Sequence, residues 1–170
     1  ATKKSNELMA HSYSNIYNLP CTGLRFFTVY GPYGRPDMAL YKFTKSIIEN
    51  KKLELFNHGK HVRDFTYIDD VTTSVIKIIN KINKEKIPYK IYNIGNSKPE
   101  RLLTFLKEIE KILGKKSKIT NKKLQKGDVY KTHANIDRLI KNISFKPSID
   151  LKTGVKKYID WYKKYYIMKK

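Results

Sequence analysis

The pattern of apolar and polar residues divides the chain into segments that predict strands and helices in turn. Residues 24–30 form a mostly apolar run rich in aromatic and β-branched side chains, which is typical of a buried parallel strand covered on both faces. Other short extended segments are predicted at 53–56, 63–68, 90–94 and 117–120. Helices are predicted at 3–17, from 40 to about 49, from about 70 to 82, from about 99 to 113, at 136–142 and at about 151–168.

Two of the predicted helices carry signals for their ends. Asp69 or Asp70 is predicted to cap the third helix. Ser97-x-x-Glu100 matches a capping box for the fourth, and Gly114 predicts where that helix ends. The third helix has one apolar stripe, formed by Val71, Val75, Ile78 and Ile82.

The order of these elements predicts the fold class. Strands alternate with helices over the whole chain without a repeat or a long linker, so we expect an α/β fold. No G-x-G-x-x-G lies between a strand and a helix, so these residues hold no dinucleotide-binding fingerprint. The longest apolar runs are far shorter than the roughly 20 residues of a membrane helix, and we expect no membrane association.

The net charge of +21 raises the possibility of nucleic-acid binding. The excess is almost entirely lysine spread along the chain, and neither a helix-turn-helix nor a zinc-finger pattern occurs, so we expect no nucleic-acid partner. The charge can still attract an anionic substrate.

Cysteine and histidine usage argues against a disulfide or a metal site. Cys21 is the single cysteine, which excludes an intrachain disulfide and fits a reducing, cytoplasmic setting. The four histidines have no metal-ligand spacing. His58 and His61 flank a glycine turn, and we expect both to face solvent.

Six segments occur in an order that matches a known family. They are Thr2–Glu7, Arg25–Ala39, Arg63–Val71, Tyr92–Gly95, Gln125–Val129 and the terminal Trp161–Tyr162. Together they resemble the UDP-glucuronate 4-epimerase branch of the extended short-chain dehydrogenase/reductase family over essentially the whole chain. The resemblance implies the C-terminal part of a Rossmann-type parallel sheet domain, interleaved with a small α/β nucleotide-sugar-binding domain. Residues 1–29 and about 64–95 would belong to the NAD side, and about 30–63 and 96–170 mostly to the sugar side.

The resemblance also implies a catalytic residue and a cofactor. The family uses a Tyr-x-x-x-Lys pair with NAD, and Lys3 matches the lysine that stabilises the tyrosinate and bonds the nicotinamide ribose. The tyrosine would lie two residues before Ala1, so the tyrosine and the glycine-rich NAD loop are expected in an N-terminal half outside these residues. In the family, C4 of the sugar is oxidised to a transient 4-keto sugar, which turns and is reduced on its other face.

Six further residues match substrate-binding positions of the family. The resemblance places Thr28 and Arg35 on the hexuronate carboxylate and Arg63 on the UDP diphosphate. The alternatives are a strand threonine satisfied by backbone, a surface ion pair for Arg35, and a salt bridge from Arg63 to Asp64 or Asp69. The other three are Gln125 and Asp128 beside the nucleotide, where a plain turn is the alternative, and Phe56 along the uracil, where core packing is the alternative.

The resemblance implies NAD-dependent C4 epimerisation of a UDP-sugar, with UDP-glucuronate converted to UDP-galacturonate. The alternatives are a related UDP-sugar decarboxylase, a UDP-hexose 4-epimerase, or a non-catalytic nucleotide-sugar-binding remnant or subunit. We expect a homodimer when the enzyme is complete. By themselves, the 170 residues are predicted to be inactive and to associate through exposed apolar surface.

Overall fold

The computed structural model describes residues 1–81 and 85–168 and has an α/β fold. Its helices are α1 (Thr2–Tyr17), α2 (Ala39–Ile48), α3 (Ile68–Ile79), α4 (Leu102–Leu113), α5 (Asp137–Ile143) and α6 (Leu151–Tyr162), and a π-helical turn (Lys163–Ile167) follows the last. Its strands are β1 (Cys21–Phe26), β2 (Thr28–Tyr30), β3 (Lys52–Phe56), β4 (Val62–Tyr67), β5 (Tyr89–Ile94), β6 (Pro99–Arg101) and β7 (Lys118–Lys122). Ile82, which was predicted to extend the stripe of α3, lies outside the described residues.

The strands pair in three small groups. Strand β1 pairs in parallel with β5, and β3 pairs in parallel with β7. Strand β2 pairs in parallel with β4, whose first residues pair antiparallel with β6. Because mostly parallel strands need helical crossovers between them, the chain alternates between strand and helix as the sequence predicts.

The prediction of a single strand at 24–30 is wrong, because the chain changes sheet partners at Phe27. The segment before it pairs with β5, whereas the three residues after it pair with β4. The N–H of Phe27 still bonds the carbonyl oxygen of Ile94, at 3.0 Å, at the change of partner. Full burial is also wrong for this segment, since Phe26 is 53% exposed.

Both predicted helix caps are wrong. Ser97 precedes β6 instead of a helix, and α4 starts only at Leu102 without a side-chain cap. Helix α3 also begins without a side-chain cap. The buried carboxylate of Asp70 instead accepts N–H bonds from Ser148 and Ile149, at 3.0 and 2.9 Å, so it fixes the segment before α6. The predicted end of α4 is confirmed, with Gly114 in the left-handed conformation at φ 64°.

Two apolar cores hold these elements together. The larger core lies among α2, β3, β4, α4 and α6, and its centre includes Phe65 and Phe105, whose rings stack at 4.4 Å. The smaller core lies between β5, α3 and α5, with Ile94 at its centre. The larger core supports the strand ends and loops on which most of the predicted site residues stand.

Candidate functional site

A cleft of about 690 Å³ opens beside the larger core and brings five of the predicted site residues together. Several elements contribute to it: the start of β2, the end of β3, β4 and the turn after β7. The predicted residues that line it are Thr28, Phe56, Arg63, Gln125 and Asp128. They are up to 100 positions apart in the chain, and only the tertiary fold makes them neighbours.

Arg63 is held in this cleft by an ion pair and by backbone. Its Nη2 lies 2.9 Å from Oδ1 of Asp128, and its Nη1 donates to the carbonyl oxygens of Val62 and Tyr130 at 3.2 and 3.1 Å. The alternative partners suggested by the sequence, Asp64 and Asp69, are both engaged elsewhere. The guanidinium is therefore fixed at the wall of the cleft, with its side chain 17% exposed.

Asp64 is engaged in the packing of the strand that carries Arg63. Its fully buried carboxylate accepts N–H bonds from Asn96 at 2.7 Å and Ala134 at 2.9 Å. On the same strand, Val62 donates its N–H to the carbonyl oxygen of Tyr130, and its own carbonyl oxygen accepts the N–H of Thr132. This network holds residues 130–134 along β4, and it thereby fixes the turn that presents Asp128.

The turn itself positions Gln125 and Asp128. The N–H of Asp128 bonds the carbonyl oxygen of Gln125 at 3.2 Å, and Gly127 takes the left-handed conformation at φ 80° that glycine accepts without strain. The plain-turn alternative therefore describes the backbone correctly. It does not account for the Asp128 side chain, which contacts Arg63 across the cleft.

Sequence reasoning missed His61, and the prediction that it faces solvent is wrong. His61 is 4% exposed and lines the same cleft, whereas His58 is exposed as predicted. Nε2 of His61 lies 2.9 Å from Oδ2 of Asp128. Position 61 directly precedes β4, whose buried residues follow one another from Asp64 to Tyr67, so no alternation in this segment could have indicated that His61 is buried.

Arg35 lies in a second, adjoining cavity of about 330 Å³. The loop between β2 and α2 carries it, and its guanidinium lies 3.2 Å from Asp37 with 75% of the side chain exposed. This cavity shares Thr28, Met38, Ala39 and Phe65 with the larger cleft. Thr28 therefore stands between the position of Arg35 and that of Arg63. Burial raises the pKa of Tyr30, which also lines this cavity, well above its usual range, so this phenol stays protonated.

Lys3 lies apart from both cavities, exposed in the first turn of α1. The helix that carries it is fixed to β1 by Glu7, which accepts two 2.7 Å bonds from the Arg25 guanidinium. This bidentate pair, helped by Lys4, lowers the pKa of Glu7 to about 2. Lys3 therefore stands on a helix with a defined position relative to β1.

The described part of the chain shows neither a membrane helix nor a metal centre. Within residues 1–81 and 85–168, no helix is both long and apolar enough to cross a bilayer. The same ranges contain no group of three or more His, Cys, Asp or Glu side chains able to hold a metal ion.

Comparison with known proteins finds relatives that match nearly the whole chain. Protein CapI of Staphylococcus aureus is 52% identical over 98% of this chain, and the probable UDP-glucuronate 4-epimerase of Rhizobium meliloti is 40% identical over 98%. These matches cover 54% and 53% of the two relatives, so the chain spans about half the length of the curated relatives it matches.

Solved structures extend the likeness to three dimensions. The UDP-glucuronic acid 4-epimerase of Bacillus cereus in complex with UDP-glucuronic acid and NAD superposes with a TM-score of 0.90 and 34% identity, covering 97% of this chain and 52% of that enzyme. The UDP-glucose 4-epimerase of Thermotoga maritima with UDP-glucose gives a TM-score of 0.87 at 25% identity, covering 95% of this chain and 52% of that enzyme. Residues 1–95 match the NAD dependent epimerase/dehydratase family. The chain is therefore a member of the NAD dependent epimerase/dehydratase family.

Proposed function

We propose that this chain supplies the nucleotide-sugar site and the catalytic lysine of an NAD-dependent UDP-sugar 4-epimerase that converts UDP-glucuronate to UDP-galacturonate. The observation that carries the proposal is the convergence of Arg63, Gln125, Asp128 and Phe56 on one cleft, with Thr28 leading to Arg35 in the next cavity. A cationic group beside each cavity matches a ligand in which one hexose ring separates a diphosphate from a carboxylate. The Bacillus cereus relative, solved with UDP-glucuronic acid, supports this ligand class.

Each side chain has a distinct part in the proposed binding mode. Arg63 offers charge and fixed geometry to the diphosphate, because backbone carbonyls and Asp128 hold its guanidinium in place. Phe56 offers an apolar wall to the uracil at the end of β3. The exposed fork of Arg35 binds the hexuronate carboxylate, with the Thr28 hydroxyl on the same side.

The cofactor proposed for the reaction is NAD, which, when bound, accepts hydride from C4 and returns it. Among the residues of this chain, Lys3 is the one proposed to serve it. The exposed ammonium of Lys3 suits a hydrogen bond to ribose hydroxyls and can stabilise a neighbouring tyrosinate. The glycine-rich loop and the tyrosine of the family's motif are not among these 170 residues. We therefore propose that the chain binds the nucleotide sugar but does not turn it over alone.

Calorimetric titration of the chain with UDP-glucuronate and UDP-glucose tests the proposal. We expect UDP-glucuronate to bind more tightly, and Arg35→Ala to remove most of that preference. Losing a charge-assisted bond costs about 1.5–3 kcal/mol, or roughly 10- to 150-fold in affinity. Arg138→Ala is the matched control, because it removes the same charge from α5, where the guanidinium lies over the Tyr92 ring.

The outcomes separate the candidate functions. Equal losses for both sugars in Arg35→Ala would contradict carboxylate recognition and favour a UDP-hexose enzyme. No binding of either sugar would contradict the nucleotide-sugar site itself. Formation of UDP-galacturonate by the chain alone, followed by NMR, would contradict its expected lack of turnover. The division into an NAD side and a sugar side at the predicted boundaries is part of the same proposal.

A further inference from the structure

A second basic side chain shares the Asp128 carboxylate with Arg63. Oδ1 of Asp128 lies 2.9 Å from the guanidinium, and Oδ2 lies 2.9 Å from Nε2 of His61. The side chain of His61 is 5% exposed, whereas that of Asp128 is 33% exposed. The imidazole therefore lies behind the carboxylate, on the protein side of the cleft.

The geometry of this contact defines what His61 can do. Nε2 is buried and has no partner in hydrogen-bond geometry, although Oδ2 of Asp128 is within 3 Å of it. The attraction therefore depends on charge and is strong only when the ring is an imidazolium. The backbone of His61 is anchored as well, because its carbonyl oxygen accepts the N–H of Leu102 at 2.8 Å.

Of the carboxylates that line the cleft, Asp128 is the one that pairs with Arg63. Asp37 lies 3.2 Å from Arg35, and Glu54 on β3 lies 3.1 Å from Lys122. Each of those acids has a cation beside it, and Lys42 from α2 adds a positive charge to the lining. Near Arg63, the carboxylate of Asp128 cancels the guanidinium charge unless His61 also carries a proton.

We propose that His61 is a positioning residue for the diphosphate of a UDP-sugar: as an imidazolium it holds Asp128 and leaves the positive charge of Arg63 for the ligand. The inference rests on the proposed nucleotide-sugar site, and it makes the protonation of His61 part of how that site binds its ligand. A neutral imidazole leaves the Arg63–Asp128 pair without net charge, whereas the protonated trio is cationic. UDP-sugar affinity therefore increases as the pH falls through the titration of His61.

The pH dependence of UDP-glucose binding to the full chain tests this role. UDP-glucose is the probe because each of its phosphates has one ester and one anhydride bond and retains only a strongly acidic ionised oxygen, so the ligand does not change charge near neutral pH. We expect the wild-type affinity to rise roughly 3- to 10-fold from about pH 8.5 to about pH 5.5, the effect of one nearby charge in a solvent-screened cleft. His61→Asn should bind with a nearly constant affinity close to the wild-type value at high pH.

His58→Asn is the matched control, because His58 is exposed on the adjacent turn and does not line the cleft. Its left-handed conformation, φ 50°, also suits asparagine. This variant should keep the full wild-type pH dependence. A pH slope that persists in His61→Asn, or a flat profile in the wild-type chain, would overturn the role of His61.

Ring NMR of His61 in the wild-type chain keeps the test decisive if His61→Asn does not fold. Adding UDP-glucose should move the midpoint of the His61 titration upward, and an unchanged midpoint would overturn the proposal. Absence of UDP-glucose binding at every pH would instead contradict the nucleotide-sugar site. The two failures are therefore distinguishable.

Discussion

The larger core and the α1–β1 region bury their apolar side chains very differently. In the core, Phe105 is 1% exposed, and α6 packs Val155 and Ile159 completely. On α1, Leu8 and Ile16 are each 68% exposed, and Ser14 is the one buried residue of the helix. Helical periodicity therefore does not decide burial, because an apolar face is covered only where another element packs against it.

The same contrast separates the strands. Strand β4 is buried from Asp64 to Tyr67 and lies between β2 and β6. Strand β1 has only β5 beside it among the described strands, and Phe26 is half exposed. An uncovered strand edge and an apolar helix face both promote association. The elements around the larger core thus form the more self-sufficient part of the described chain.

The largest expected effect comes from Phe105→Ala, which removes a ring stacked on Phe65 inside the larger core. We expect the free energy of unfolding to fall by about 3–5 kcal/mol, because a large buried ring leaves a cavity. Denaturant unfolding measures the loss. Phe26→Ala is the matched variant on β1, and there the loss should be about 0.5 kcal/mol or less. Equal losses at the two sites would contradict the contrast between the regions.

A smaller effect is expected from Gly154→Ala, in α6 of the same core. A Cβ at this position would collide with the hydroxyl and ring of Tyr30. Overpacking of this kind costs about 1–3 kcal/mol of unfolding free energy, which a thermal melt can detect. Tyr30→Phe removes the nearest clashing atom, so the double variant should lose less than the sum of the two single losses. Simple additivity would show that the Tyr30 hydroxyl is not the group that the added methyl meets.

The Glu7–Arg25 pair provides a pH test in the less covered region. The pair lowers the pKa of the Glu7 carboxyl to about 2, against an ordinary 4.5. It therefore stabilises the attachment of α1 to β1 above pH 4.5. That stabilisation is lost as the pH falls toward 2, when the carboxylate takes up a proton. NMR titration of the Glu7 carboxyl carbon measures the midpoint directly. Arg25→Gln should return it toward 4.5, and Lys4→Gln should move it less, since Arg25 is the larger cause.

The smallest expected effect on stability comes from Tyr13→Ser, at a 58% exposed position of α1. The free energy of unfolding should change by about 0.5 kcal/mol or less. Association should weaken, because the variant removes apolar surface that a second copy can cover. Light scattering after gel filtration measures this. A wild-type chain that elutes as a single monomer would contradict the expected association.

Much of the local structure could be predicted from the sequence, because it depends on neighbours along the chain. The end of α4 at Gly114 follows from glycine's access to the left-handed conformation, and the burial of Val71 and Ile78 on α3 follows from helical spacing. Both features depend on short-range sterics and periodicity. The diphosphate role of Arg63 came from a family resemblance and stays a prediction.

The tertiary structure alone decided which partners those elements and side chains meet. The apolar run at 24–30 divides at Phe27 because β4 and β5 offer different edges, and no local pattern contains that information. Asp70 binds the backbone before α6 instead of capping its own helix, since that backbone lies within reach only after folding. His61 is buried for the same reason. Its contact with Asp128 joins positions 67 apart, and long-range packing, not sequence spacing, determines that contact.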